Sequence, residues 1–399
     1  MTEPLIQTDP VVITGMGIIS ALGGSAVESL NALSEGGTPP APPEIPGCTI
    51  TGPSFAAHLP CGLNTEKGRT LALADHAFEQ ALKQAGLEGC TDRRTGVCAG
   101  TTVASQLNDI EFYSRYRKGV VPSYDAVHRY LAGNPAEALK RRHNLEGPAM
   151  TLVNACSSGT DAVGTAMAWL KNKRCDAVIA GGSDELNRVP LAGFNALGIL
   201  SDSPCRPFDA GRDGLNLGEG AAFLVLETLS SAKARGAEPI AECRAYATAS
   251  DAYHLTAPRP DGAGLETAVT KALNRAGIAG DRIDFINAHG TGTQTNDRTE
   301  GLIFGKLFGK TSKIFSTKGY TGHTLGAAGA IEAVLTVLSL DRQRLPANKG
   351  YTEFDETVGI RPVEKEQTIE AEYAMSSSLA FGGMNSVLIF KRFDSENYR

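Results

Sequence analysis

Val153-Asn154-Ala155-Cys156-Ser157-Ser158-Gly159-Thr160-Asp161-Ala162 is the stretch from which the fold is read. A β-rich run, Met150–Asn154, leads into it, and a helical run rich in small residues, Ser157–Leu170, leaves it. One cysteine therefore stands at a strand-to-helix turn. A thiol there faces unpaired backbone N–H groups and the positive end of the helix dipole, which favours the thiolate. Such a thiolate can attack a thioester, and the same N–H groups can hold an oxyanion. By geometry alone, a nucleophile and an inert buried thiol both fit Cys156. The chain has eight cysteines (48, 61, 90, 98, 156, 175, 205 and 243) without a C-x-x-C spacing, which excludes the usual zinc and dithiol patterns and suits a reducing cytoplasm.

The same strand-to-helix pattern recurs outward from this turn. Val11–Thr14, Gly96–Ala99, Ala177–Ala180, Ala222–Glu227, Asp284–Asn287, Lys313–Ser316, Met375–Leu379 and Val387–Phe390 read as further strands. Thr70–Ala85, Leu265–Ala276 and Gly326–Leu340 read as helices, and the alternation predicts an α/β protein with a buried, mostly parallel sheet. Lys313–Leu340 repeats the form of Met150–Leu170, a strand turning into a small-residue helix. This suggests an internal duplication with a boundary near Arg235–Glu238, giving halves 1–236 and 237–399. The proline-rich stretch from Leu33 to Pro53 reads as surface loop.

Bulk composition narrows the function. The 399 residues are 42% hydrophobic and 21% charged, with a formal charge of −6, which argues against a general nucleic-acid binder. No run of eighteen apolar residues occurs, and Met1–Pro10 lacks a basic start followed by an apolar stretch. Neither a membrane span nor a secretory signal is expected.

Partners for the thiol come from seven histidines. His289, in Asn287-Ala288-His289-Gly290-Thr291-Gly292-Thr293, follows a strand, and His323, in Lys318-Gly319-Tyr320-Thr321-Gly322-His323, precedes the second small-residue helix. Both occupy Gly/Thr loops at strand ends, where open α/β sheets bind ligands. His58, His76, His128 and His143 have ordinary neighbours and are expected at the surface.

These runs, in this order and spacing, together with Phe381-Gly382-Gly383-Met384-Asn385, resemble the β-ketoacyl synthases of the type I/II group. Arg206-Pro207-Phe208-Asp209, Arg212-Asp213-Gly214 and Ser250-Asp251-Ala252-Tyr253-His254 are also similar to members, and the likeness spans about Val11 to Lys391. The resemblance implies a thiolase-like α/β fold of two pseudo-equivalent halves in a layered αβαβα arrangement. It implies decarboxylative Claisen condensation, with acyl carrier protein as partner, no cofactor and no metal. Cys156 would take the acyl group, with the N–H groups of Cys156 and Phe381 as oxyanion hole. His289 and His323 would bond the malonyl carbonyl, and Lys318, paired with Glu332, would orient His323. Thr291, Thr293, His254 and Thr256 would bind substrate, Phe194 and Phe381 would form a gate, and Val103–Ile110 would help line the acyl pocket. For carrier-protein docking the candidates are Arg115, Arg117 and Lys118, with Lys67 and Arg69 as a second cluster; solvated surface charge is the competing reading.

Rival readings fail on particular residues. Thr14-Gly15-Met16-Gly17-Ile18-Ile19-Ser20 has Ser20 where a dinucleotide fingerprint needs its third glycine, and Gly309-Lys310-Thr311 has Phe304 where a P-loop needs its first. Thiolases use a second cysteine near the C-terminus, and none follows Cys243. Type III synthases pair Cys with His and Asn, whereas the second position here is His323. A non-catalytic chain-length-factor subunit would lack the nucleophile. Asp161-Ala162-Val163-Gly164 resembles polyketide and aryl polyene synthases, so both a homodimer and a heterodimer with a chain-length-factor-like subunit stay open.

Overall fold

A computed structural model describes residues 9–45, 48–60, 63, 68–89, 93–102, 110–121, 123–124, 128, 134–309 and 312–394. Its strands are β1 (Val11–Ile19), β2 (Thr95–Gly100), β3 (Ala149–Leu152), β4 (Ala177–Asp184), β5 (Gly220–Thr228), β6 (Ala241–Ser250), β7 (Phe285–Asn287), β8 (Lys313–Phe315), β9 (Arg344–Leu345), β10 (Gln367–Thr368), β11 (Tyr373–Ala380) and β12 (Met384–Arg392). Every expected strand is present. Strand β6 was not anticipated, because its alanines give it little β signal.

Ten strands form one sheet in the order β3-β2-β4-β5-β1-β6-β12-β11-β7-β8. Read outward from the middle, the first half runs 1-5-4-2-3. The second runs 6-12-11-7-8, the same connectivity repeated. Within the sheet, the strands of the two halves pair where Val12 faces Glu242 and Ile13 faces Ala241. The sheet is mixed, which corrects the expectation of a mostly parallel one. The outer pairs β2–β3, β2–β4, β7–β8 and β7–β11 are parallel, and the five central pairings are antiparallel. Strand direction does not appear in hydrophobic periodicity, because a strand buried on both faces reads as a continuous apolar run either way.

Helices cover the sheet in layers. Arg69–Ala85 packs its apolar face on β1, β4 and β5, and Ala263–Ala276 packs on β6 and β12. Between the two halves lie the helices Ser158–Lys171 and Ala328–Arg342, embedded in the largest apolar cluster. Every residue from Ala328 to Leu340 is buried, as befits a helix surrounded by protein on all sides. The result is the expected helix–sheet–helix–sheet–helix order.

Small residues let the two central helices touch. A Cβ on Gly159 would lie 2.8 Å from Ala330 N, and one on Gly329 would lie 2.0 Å from Thr160 Oγ1. No larger residue fits at either position without displacing backbone. This crossing brings the start of the first helix, with Cys156, against the turn that carries His323. Among the described residues no helix is long and apolar enough to cross a membrane.

Candidate active site

Cys156 sits between β3 and the helix Ser158–Lys171, on a turn bent by Ala155 at φ 47°. A positive φ is uncommon for a residue with a side chain, and here it turns the thiol inward. The Ser158 hydroxyl closes the turn by donating to Ala155 O at 2.6 Å and accepting from Asn154 N at 2.8 Å. The thiol is only 3% exposed.

The second half delivers the other groups. His323 Nε2 lies 3.0 Å from Cys156 Sγ, and the His289 ring stands edge-on to that of His323 with centroids 5.2 Å apart. The backbone N–H of Phe381 faces the Cys156 sulfur and favours its thiolate. Thr291 and Thr293 join hydroxyls at 2.9 Å and line the approach. Together these residues line a cleft completed by Phe194, Ile199, Leu215, Thr256, Leu379 and Met384.

Lys318 reaches a different histidine from the one expected. Its Nζ donates to His289, to Nδ1 at 3.1 Å and to the backbone oxygen, and it ion-pairs with Glu332 as anticipated. The reason is topological: the short helix Lys318–Thr321 turns His323 toward Cys156 and leaves the lysine directed back at the β7 loop. With Lys318 on Nδ1, the His289 proton resides on Nε2.

Electrostatics follow from burial. Burial and the Lys318 charge, with His323 a lesser cause, hold His289 well below the ordinary imidazole range, and burial and Lys318 do the same for His323. Both rings are neutral at pH 7. Burial also pushes the Cys156 thiol up to about 12, against the lowering by Lys318 and the Phe381 N–H. Desolvation thus opposes the pull toward the thiolate that the helix terminus exerts. Burial raises Glu332 to about 7 despite Lys318.

The other candidates fall outside the cleft wall. His254 is exposed and absent from the cleft wall; its Nδ1 accepts from Thr256 N at 3.1 Å and Ala257 N at 3.2 Å, bracing the loop that places Thr256 in the cleft. Arg69 is half-buried and engaged by buried Glu219, with Nε 2.7 Å from Oε2. Arg115, Arg117 and Lys118 are exposed on and just after the helix Ile110–Arg117. Lys67 and most of the Val103–Ile110 stretch lie outside the described residues. His76 and His143 are half-buried and not at the surface, held by Gly24 O and Asp75.

Glu300 was not anticipated. It accepts the N–H groups of His289 at 2.8 Å and Gly290 at 2.6 Å, and the Ser377 hydroxyl at 3.0 Å, fixing the loop that carries His289. The available signal was an acid about two turns into a helix, Gln294–Phe308, that begins right after that loop.

Known proteins are similar to this chain in sequence and fold. Residues 66–232 match the model described as beta-ketoacyl synthase, N-terminal domain, and residues 240–352 the one described as beta-ketoacyl synthase, C-terminal domain. The 3-oxoacyl-[acyl-carrier-protein] synthase 2 of Staphylococcus aureus (strain N315) is 34% identical over 416 residues, covering 98% of this chain and 100% of that protein. A solved ketosynthase from Xenorhabdus doucetiae (ApeO), in complex with its chain length factor (ApeC), superposes with a TM-score of 0.82 at 31% identity, over 97% of this chain and 99% of that one. A type II PKS acyl-carrier protein in complex with its ketosynthase bound to the hexaketide gives 0.88 at 27% identity, over 97% of this chain and 100% of that one. With two domain models matched across most of its length and a condensing enzyme related to it end to end, the chain belongs to the β-ketoacyl synthase family, acyltransferases of the 3-oxoacyl-[acyl-carrier-protein] synthase type that extend fatty acid or polyketide chains.

Proposed function

We propose that Cys156 carries the growing acyl chain and that His289 and His323 drive its condensation with a malonyl group. The observation behind this reading is the meeting of the Cys156 thiol, His323 Nε2 at 3.0 Å and the Phe381 N–H at one end of the cleft. Cys156 Sγ attacks the incoming thioester carbonyl, and the N–H groups of Cys156 and Phe381 hold the tetrahedral oxyanion. The C–S bond to the carrier's pantetheine breaks, and the thiol proton ends on that departing sulfur. A malonyl thioester then replaces it along Thr291 and Thr293. Its carboxylate leaves as CO2, and the enolate oxygen accepts hydrogen bonds from the two imidazoles. The carbanion attacks the acyl carbonyl, a C–C bond forms, and the Cys156 sulfur leaves and is reprotonated. Lys318 and Glu332 act through His289 by keeping its proton on Nε2. Mass spectrometry of Cys156 after exposure to a panel of acyl-carrier-protein thioesters tests this reading; no acyl adduct with any of them would sink it.

The stacked rings of Phe194 and Phe381, 5.3 Å apart and 17° from parallel, support a gate between the acyl and malonyl sides. Phe381 opens the turn between β11 and β12, and Gly382 and Gly383 behind it have φ of 84° and 78°, a hinge that Ala380 cannot share. Phe381→Ala should change the order or selectivity of acyl loading while the fold survives. A variant that loads every chain in wild-type proportions but melts after losing roughly 3–5 kcal/mol would mark a core residue instead.

Acidic carrier protein is proposed to dock at Arg115, Arg117 and Lys118. Arg117→Glu with Lys118→Glu should raise the carrier-protein KM and flatten its salt dependence. Unchanged kinetics would place docking elsewhere. A dimer is proposed through the outer edge of β3, which pairs on one side only and leaves Met150 44% and Val153 70% exposed. The partner is a second copy or a chain-length-factor-like chain, and sedimentation of the purified protein separates a self-dimer from a monomer awaiting its partner. The halves 1–236 and 237–399 are proposed as the two repeats, supported by their matching strand order, and six described cysteines all in the free form suit a cytoplasmic location.

A further inference from the structure

Asp161 lies one turn into the helix after Cys156, and its carboxylate collects four donors. Asn154 Nδ2 at 2.5 Å and the Ser157 hydroxyl at 2.9 Å approach Oδ2. The Tyr246 hydroxyl at 2.9 Å and the Ser386 hydroxyl at 2.5 Å approach Oδ1. The first two donors flank the turn Ala155-Cys156, and the last two come from β6 and β12 of the other half. Asp161 is 5% exposed, and a buried carboxylate is stable only when its lone pairs are filled, as they are here.

The surrounding sequence is shaped around this contact. A Cβ on Gly164 would stand 2.3 Å from the Tyr246 ring, so glycine at that position is what allows the ring to reach Asp161. The held turn includes Ala155 at a positive φ, a conformation that survives only where its surroundings over-determine it. None of the four donors belongs to the loops that carry His289 and His323.

We propose that Asp161 is a positioning residue for acyl transfer, a four-donor clamp that fixes the strained Cys156 turn to β6 and β12. The proposal rests on Cys156 being the nucleophile. It predicts a split between the two half-reactions, because the clamp fixes the sulfur and leaves the imidazoles alone.

The test is Asp161→Asn in the full chain. The amide keeps the shape but turns one acceptor into a donor facing donors. Single-turnover acylation of Cys156 from acyl carrier protein should slow by about 10²-fold, the size of effect expected when a reacting atom is displaced by about 1 Å. The KM for the acyl carrier protein and the release of CO2 from malonyl carrier protein without an acyl donor should stay near wild type. Acylation at the wild-type rate, or parallel loss of acylation, CO2 release and Tm, overturns the clamp. Should Asp161→Asn fail to fold, Tyr246→Phe removes one donor and leaves the carboxylate. It should slow acylation several-fold with CO2 release unchanged, and unchanged acylation again overturns the proposal. A Cys156→Ala protein that still condenses would instead defeat the nucleophile assignment, so the two failures are told apart.

Discussion

Cys156→Ala is expected to abolish condensation, with a loss of at least about 10⁴-fold, because the acyl group then has no sulfur to occupy. The fold should survive. The thiol is one small side chain against His323 and the Phe381 N–H, and its removal leaves a polar pocket that opens to the cleft. Intact-protein mass spectrometry should show a mass shift with wild type and acyl carrier protein and none with the variant. A variant that condenses acyl and malonyl groups at even a hundredth of the normal rate would exclude a covalent acyl-cysteine route.

The second large effect divides the histidines. His289→Ala should lower CO2 release and condensation by about 10²- to 10³-fold, the usual cost of deleting one donor to a developing oxyanion. Acyl transfer to Cys156 should continue, since His289 reaches the thiol only through His323. His323→Ala removes the group that touches the sulfur, so both acyl transfer and CO2 release should fall. Rapid-quench acylation measured beside radiolabelled CO2 release gives the two rates separately. Equal loss of acyl transfer in both variants would contradict this division.

Much of the site could be read from residue order, because a strand, a turn and a helix of small residues leave few places for Cys156 to point. His289 and His323 were readable for the same reason, each lying in a glycine-rich loop at a strand end. What could not be read was which side chain meets which across the seam. Lys318 was assigned to its sequence neighbour His323, yet it meets His289, 29 residues away, because a four-residue helix reverses the direction of the chain between them. Glu300 escaped notice because the groups through which it holds the His289 loop are backbone N–H groups, which carry no residue identity. The opposing effect of desolvation on the thiol could not be weighed because a helix terminus is visible in sequence and the depth of burial is not. Strand β6, with four alanines in ten residues, was missed because the tertiary packing that makes it a strand leaves little trace in its composition.

The repeated strand order has a consequence for how the enzyme comes into being. The sulfur and the imidazole that face each other are 167 positions apart, one from each repeat, and the strands of the two repeats share only two facing pairs at their common edge. Contacts so distant in sequence form late in folding, after each half has gathered its own strands. A nascent or half-folded chain therefore holds a cysteine with no imidazole beside it and no amide aimed at its sulfur. Such a chain has no means of consuming acyl thioesters. Reactivity arrives only with the docking of the second half, so newly made molecules are chemically silent until they are complete.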